Sequence, residues 1–181
     1  MDRCADEFQG GIGLLVLGFD PGIAILGYGL IKQVGYNLKA IDHGVITTQA
    51  CEEMPGRLVK LFEDVTFLID KYKPDAVAIE EIFFNKNVKT AISISHARGV
   101  VMLAPSIAGI PVYEYTPLQV KQAITGYGRA PKQQMQQMVK LLLNLKELPK
   151  PDDAADALAV AICHAQSHAF NSKLGKIKGA T

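Results

Sequence analysis

Four carboxylates stand where apolar sequence does not ordinarily tolerate them: Asp20, Glu80, Asp153 and Asp156. Leu17-Gly18-Phe19-Asp20-Pro21-Gly22 and Val77-Ala78-Ile79-Glu80-Glu81 each carry an apolar run into an acid. Pro151-Asp152-Asp153-Ala154-Ala155-Asp156-Ala157-Leu158 sets two acids three apart at the head of an apolar helix. An unpaired charge against apolar surface is costly, so these acids need something to neutralise them. Oxygen-only ligands select hard cations, Mg2+ or Mn2+. Asp153 and Asp156 share one helix face. Two such ions about 3.5–4 Å apart can clamp the attacking and leaving oxygens of a phosphodiester. Each segment also has a local alternative. Asp152 or Asp153 can cap the helix they begin, and Asp20-Pro21-Gly22 can be a turn in which Asp bonds its own backbone. Glu80 is the hardest to explain in such terms, because it follows a β-like run and precedes an apolar one.

The elements that must position these acids follow from pattern. Residues 1–13 are polar and Gly-rich and read as a disordered extension. Leu14–Asp20 reads as a buried strand closed by Pro-Gly. Gly27–Val34 and Leu38–Thr48 follow as strands around a Gly35-Tyr36-Asn37 turn, which makes an antiparallel meander. After Pro55, apolar residues from Leu58 to Tyr72 recur at helical spacing. Ala76–Glu80 reads as a short buried strand, Val88–Gly109 as a long helix with a possible kink at Pro105, and Pro111–Tyr115 as another strand. Thr116-Pro117-Leu118-Gln119 is a helix start with Thr as N-cap, Pro at N1 and Gln at N3. Pro131 opens a further helix to about Asn144, and the last helix is expected over Asp152–Ser167. One domain over 14–167 results, with a flexible tail over 168–181. The order predicts an α/β fold: a mixed five-stranded sheet with helices on both faces. If the strands ending in Asp20 and Glu80 are neighbours, both acids lie on one edge, within reach of the last helix.

Composition narrows the class. A length of 181 residues suits one domain with a sizeable core. No apolar stretch is long enough for a membrane span. The first residues lack a signal-peptide pattern, and the three cysteines have neither CxxC spacing nor an even count. The expected compartment is the reducing cytoplasm. The net charge of +1 hides an asymmetry: residues 82–146 hold 8 Lys/Arg against the single acid Glu114. Such a stretch suits a polyanionic partner, although solvated helix faces account for it equally well.

Five segments in order resemble one family. They are Gly18-Phe19-Asp20-Pro21-Gly22 with Gly27-Tyr28-Gly29, Ala78-Ile79-Glu80-Glu81-Ile82-Phe83-Phe84-Asn85-Lys86-Asn87, Ala97-Arg98-Gly99-Val100, Gln119-Val120-Lys121-Gln122, and Asp153-Ala154-Ala155-Asp156-Ala157-Leu158-Ala159. From about Leu14 to about Gln166 the chain resembles the RuvC family of bacterial Holliday junction resolvases. The resemblance implies an RNase H-like fold of the retroviral integrase superfamily, with Asp20, Glu80, Asp153 and Asp156 as catalytic ligands of two Mg2+ ions. It implies a homodimer making paired cuts in a four-way DNA junction during recombination and repair. It also implies a branch-migration motor, RuvA and RuvB, as partner. Some relatives carry His at the Asp153 position, and some carry Gln where this chain has Glu81.

Further residues read as DNA contacts. Phe83 and Phe84 interleave with Lys86 and Lys89, a pattern suited to stacking on unpaired bases, with Phe83 at the family's wedge position. Lys121 and Lys132 match family positions that contact phosphates. Gly126-Tyr127-Gly128-Arg129 precedes a helix N-terminus and could hold a phosphate, with Arg129 beside it. Ala91, Ser95 and Gly99 are small residues four apart, suited to a close partner helix or to tight packing on the chain's own sheet. His43, His96, His164 and His168 read as structural or surface residues. Two other classes compete. An actin-like phosphotransferase also opens on a strand ending in Asp-x-Gly, but needs a second lobe. A junction-binding protein without catalysis would not need four intact acids.

Overall fold

The computed structural model describes residues 13–81 and 88–178, with side chains over 13–81 and 91–169. Its elements are β1 (Leu14–Asp20), β2 (Ile25–Val34), β3 (Asn37–Thr47), α1 (Met54–Tyr72), β4 (Ala76–Glu80), α2 (Val88–Ile107), β5 (Val112–Tyr115), α3 (Pro117–Thr125), α4 (Lys132–Leu142) and α5 (Asp152–Lys178). The five strands form one mixed sheet in the order β3-β2-β1-β4-β5. β1, β2 and β3 are the expected antiparallel meander, and β4 and β5 add in parallel.

Strand alternation divides the core in two. Val16, Ala78 and Ile31 face α3, α4 and α5, where they meet Val120, Met135, Val139 and Leu158. Leu17, Phe19, Val77 and Ile79 face α1 and α2, where they meet Leu61, Val65, Ala97 and Val101. The predicted helix start at Thr116 is a full capping box, with Thr116 accepting from the Gln119 N–H and Gln119 reaching back. Pro131 is the N-cap of α4 rather than its first residue. α2 contains Pro105 and stops at Ile107, because Gly109 takes a left-handed φ of 72°. α5 runs to Lys178, past the expected Ser167, since no proline intervenes. Among the described residues no helix is long and apolar enough to cross a membrane.

The placement of α5 depends on missing side chains beneath it. Gly18 and Gly29 are register partners in β1 and β2, and Gly27 pairs with Asp20. A Cβ at Gly18 would lie 2.3 Å from the Ala157 carbonyl oxygen, one at Gly27 2.1 Å from that of Asp153, and one at Gly29 2.7 Å from the Leu158 nitrogen. The helix answers with small residues, Ala154, Ala157 and Ala161, all buried. Backbone thus rests on backbone, and the first turn of α5 is held against the end of β1 and β2.

Candidate active site

Phe19 pairs with Ile79 across the parallel β1–β4 ladder, so the next residues, Asp20 and Glu80, leave the sheet side by side. Both lie on the face that α5 covers, by alternation from Val16 and Ala78. α5 brings Asp153 and Asp156 to the same end. All four are half-buried. Glu80 and Asp156 line a cleft of about 270 Å3 between α3, α4 and α5, whose other walls include Val120, Lys121, Lys132 and Met135.

The four acids act on one another. Burial, then the charges of Glu80, Asp156 and Asp153, push the Asp20 carboxyl up to about 7, with Lys132 opposing. Burial and Asp156 push Glu80 up to about 7 as well, against Lys121 and Lys132. Asp156 is raised by burial, and Lys132 works against that. The Lys132 ammonium stands 3.1 Å from Asp156 Oδ2 and 3.2 Å from Asp152 Oδ2. Asp152 also accepts from Gln136 Nε2 at 2.8 Å, and these two partners hold its carboxyl below the usual range. Among the described residues no three His, Cys, Asp or Glu side chains converge closely enough to grip an ion as they stand. The donor set nonetheless fits a hard divalent cation: it offers only oxygen, four formal negative charges, and one directly paired ammonium.

The raised values give a pH dependence opposite to that of most carboxylates. Below about 7 the folded state holds protons that the unfolded chain, with carboxyls near their ordinary range, has lost. The stability contributed by Asp20 and Glu80 in the metal-free protein therefore falls as pH rises from about 4 to 7, while buried His164, pushed down to about 4, adds an opposing rise over the same range. The charge of Glu80 acts on Asp20, so the titration belongs to the pair rather than to either residue. Thermal melts of the wild type beside Asp20→Asn in EDTA across pH 4.5–8.5 check this, and a gap between the two that does not widen toward pH 8 would contradict it.

The structure sorts the other sequence candidates. Lys121 and Lys132 are in the cleft wall, and Arg129 is exposed in the α3–α4 turn. Phe83, Phe84 and Lys86 lie outside the described residues, as does the side chain of Lys89. The Glu81 N–H bonds the Tyr115 carbonyl at 2.8 Å. Ala91 is buried, whereas Ser95 and Gly99 are exposed on α2 with Ile92, Leu103 and Ile107. His164 is buried, accepts or donates at 2.8 Å to Tyr115 Oη and stacks on Tyr113, as expected of a structural histidine. Sequence reasoning missed Asp152 and Gln136 as partners of Lys132. It also missed the steric work of Gly18, Gly27 and Gly29. Glycines two apart in a strand, together with an alanine-rich helix, were the available signal.

Known proteins share this sequence and fold. The family model Crossover junction endodeoxyribonuclease RuvC matches residues 16–164. The protein of that name from Alkaliphilus metalliredigens (strain QYMF) is 58% identical over 165 residues, which is 91% of this chain and 100% of that protein. The structure of T. thermophilus RuvC in complex with Holliday junction substrate aligns with a TM-score of 0.83 at 37% identity, covering 87% of this chain and 96% of the other. The yeast mitochondrial Holliday junction resolvase Ydc2 shares the fold at 15% identity and a TM-score of 0.63, over 86% of this chain and 80% of the other. With its RNase H-like sheet and its acids at the strand ends, the chain belongs to the RuvC family of crossover junction endodeoxyribonucleases.

Proposed function

We propose that this protein resolves Holliday junctions by paired, symmetric phosphodiester hydrolysis, with Asp20, Glu80, Asp153 and Asp156 as the ligands of two Mg2+ ions. The observation that supports the site assignment is the meeting of acids from β1, β4 and α5 at one sheet end, where burial above all raises the proton affinity of Asp20, Glu80 and Asp156. Bound Mg2+ would generate the attacking nucleophile from water and stabilise the charge on the leaving oxygen. The chain's own groups do the rest. The four carboxylates would fix where the cations sit. Lys121 offers a cation from the cleft wall to a backbone phosphate, and the apolar wall at Val120 and Met135 limits water.

A four-way junction is nearly two-fold symmetric, so two matched cuts need an isologous dimer. The exposed stripe of α2, with Ile92, Ser95, Gly99, Leu103 and Ile107, supports that surface as the contact. A Cβ at Gly99 would meet nothing within 4 Å in one protomer, which leaves room for a partner's close approach. The test is an end-labelled synthetic junction incubated with the protein and Mg2+. Matched nicks on two opposed strands are expected, abolished by EDTA and absent on linear duplex. Sedimentation should give twice the chain mass. Junction binding without nicks, across varied core sequences, would make the protein a non-catalytic binder, and a monomer mass at micromolar concentration would remove the dimer.

A further inference from the structure

Lys132 is shared between two carboxylates one turn apart on α5, and only one of them belongs to the acid set of the cleft. Its ammonium stands 3.1 Å from Asp156 Oδ2 and 3.2 Å from Asp152 Oδ2. Asp152 is exposed and is gripped a second time by Gln136 Nε2 at 2.8 Å. Lys132 and Gln136 are four apart on α4, and Asp152 and Asp156 are four apart on α5, so one stripe of each helix faces the other.

We propose that Asp152 is a positioning residue for the catalytic cleft: with Gln136 it anchors the Lys132 ammonium, so that Lys132 serves as a displaceable internal counter-ion for Asp156. The inference rests on reading Asp156 as a metal ligand. An ammonium and a divalent cation compete for the same carboxylate oxygen. With Asp152 present, the ammonium keeps a partner when it leaves Asp156, and it stays at the cleft wall, where a phosphate of the bound strand can take it up. Without Asp152, Asp156 is the one direct ion-pair partner of the ammonium among the described residues, and the ammonium holds it more tightly against the incoming ion. Both pairs are substantially exposed, so the effect is small but measurable. Pairs this exposed shift an equilibrium constant by at most about fivefold.

The test is calorimetric titration of the DNA-free full chain with Mn2+ alone. Lys132→Ala should tighten Mn2+ binding by up to about fivefold. Asp152→Asn should weaken it by about two- to fivefold in the wild-type background, and should have no further effect in Lys132→Ala. Equal weakening by Asp152→Asn in both backgrounds would make Asp152 a general charge or a ligand and overturn the proposal. So would unchanged affinity in Lys132→Ala. The metal-site reading is checked separately by Asp156→Asn: Mn2+ binding that survives there undiminished defeats that reading itself, whatever the other variants do.

Discussion

Asp20→Asn should abolish junction cleavage and, in the absence of metal, raise the melting temperature. The two effects have one cause. Asp20 is held beside Glu80 with Asp156 and Asp153 close enough to repel it, and burial adds to the cost of its charge. That cost is useful only when a cation repays it. Replacing the carboxylate with an amide of the same shape removes one charge from the proposed metal site and relieves the repulsion. Loss of residues that merely orient metal ligands costs about 10–100-fold, so loss of a ligand should cost at least about 100-fold in rate. The stability gain has a pH signature. Because the folded-state value is raised to about 7, the wild-type protein suffers the full penalty above that pH and little well below it. Asp20→Asn should therefore melt higher than wild type at pH 8 in EDTA, and the gap should shrink toward pH 5. Glu80→Gln should behave alike, its carboxyl being raised to about 7 by burial and Asp156. A variant that keeps substantial nicking, or that melts lower than wild type at pH 8, would mean that Asp20 serves the fold rather than the reaction.

The acids were legible because their context is local. An apolar run that ends in Asp or Glu is a strand that delivers a charge to a sheet end, and Asp20 and Glu80 could be paired once β1 and β4 were neighbours. The capping box at Thr116 and the meander of β1, β2 and β3 were legible for the same reason, since each is encoded within a few residues. What stayed hidden was contact between distant segments. Nothing near Asp152 announces that Lys132, twenty positions earlier, will lie against it, because that meeting depends on how α4 crosses α5. Helix ends were misjudged by a few residues where a left-handed residue follows just past the helix, as at Gly109 after α2 and Asn144 after α4. The far end of α5 was misjudged in the other direction: a basic, polar composition suggested fraying, but Gly175 is its first glycine and no proline stops the helix.

Gly27→Ala should be nearly as damaging to cleavage as loss of an acid, although the residue carries no chemistry. Gly27 pairs with Asp20 in the sheet, and β2 is flanked by β1 and β3 on its two sides. A methyl there would stand 2.1 Å from the Asp153 carbonyl oxygen and 2.6 Å from its carbonyl carbon, against backbone that cannot rotate away. The strand is fixed by ladders on both edges, so the start of α5 must lift. Clearing the contact to about 3 Å needs a shift of about 1 Å in the turn that carries Asp153 and Asp156. Misplacement by about 1 Å can cost about 100-fold in rate even when every reacting group is present. The accompanying loss of stability, about 1–3 kcal/mol for overpacking, should leave the protein folded at room temperature. Gly56→Ala in α1 is the matched control, because a methyl there meets nothing within 4 Å and a helical Gly→Ala change stabilises by about 0.5–1 kcal/mol. The measurement is single-turnover cleavage of a labelled junction beside a thermal melt. Wild-type rate and melting temperature in Gly27→Ala would show that α5 does not need bare backbone beneath its first turn. A rate loss without gross unfolding places the glycine among the residues that set the distance between the two pairs of acids.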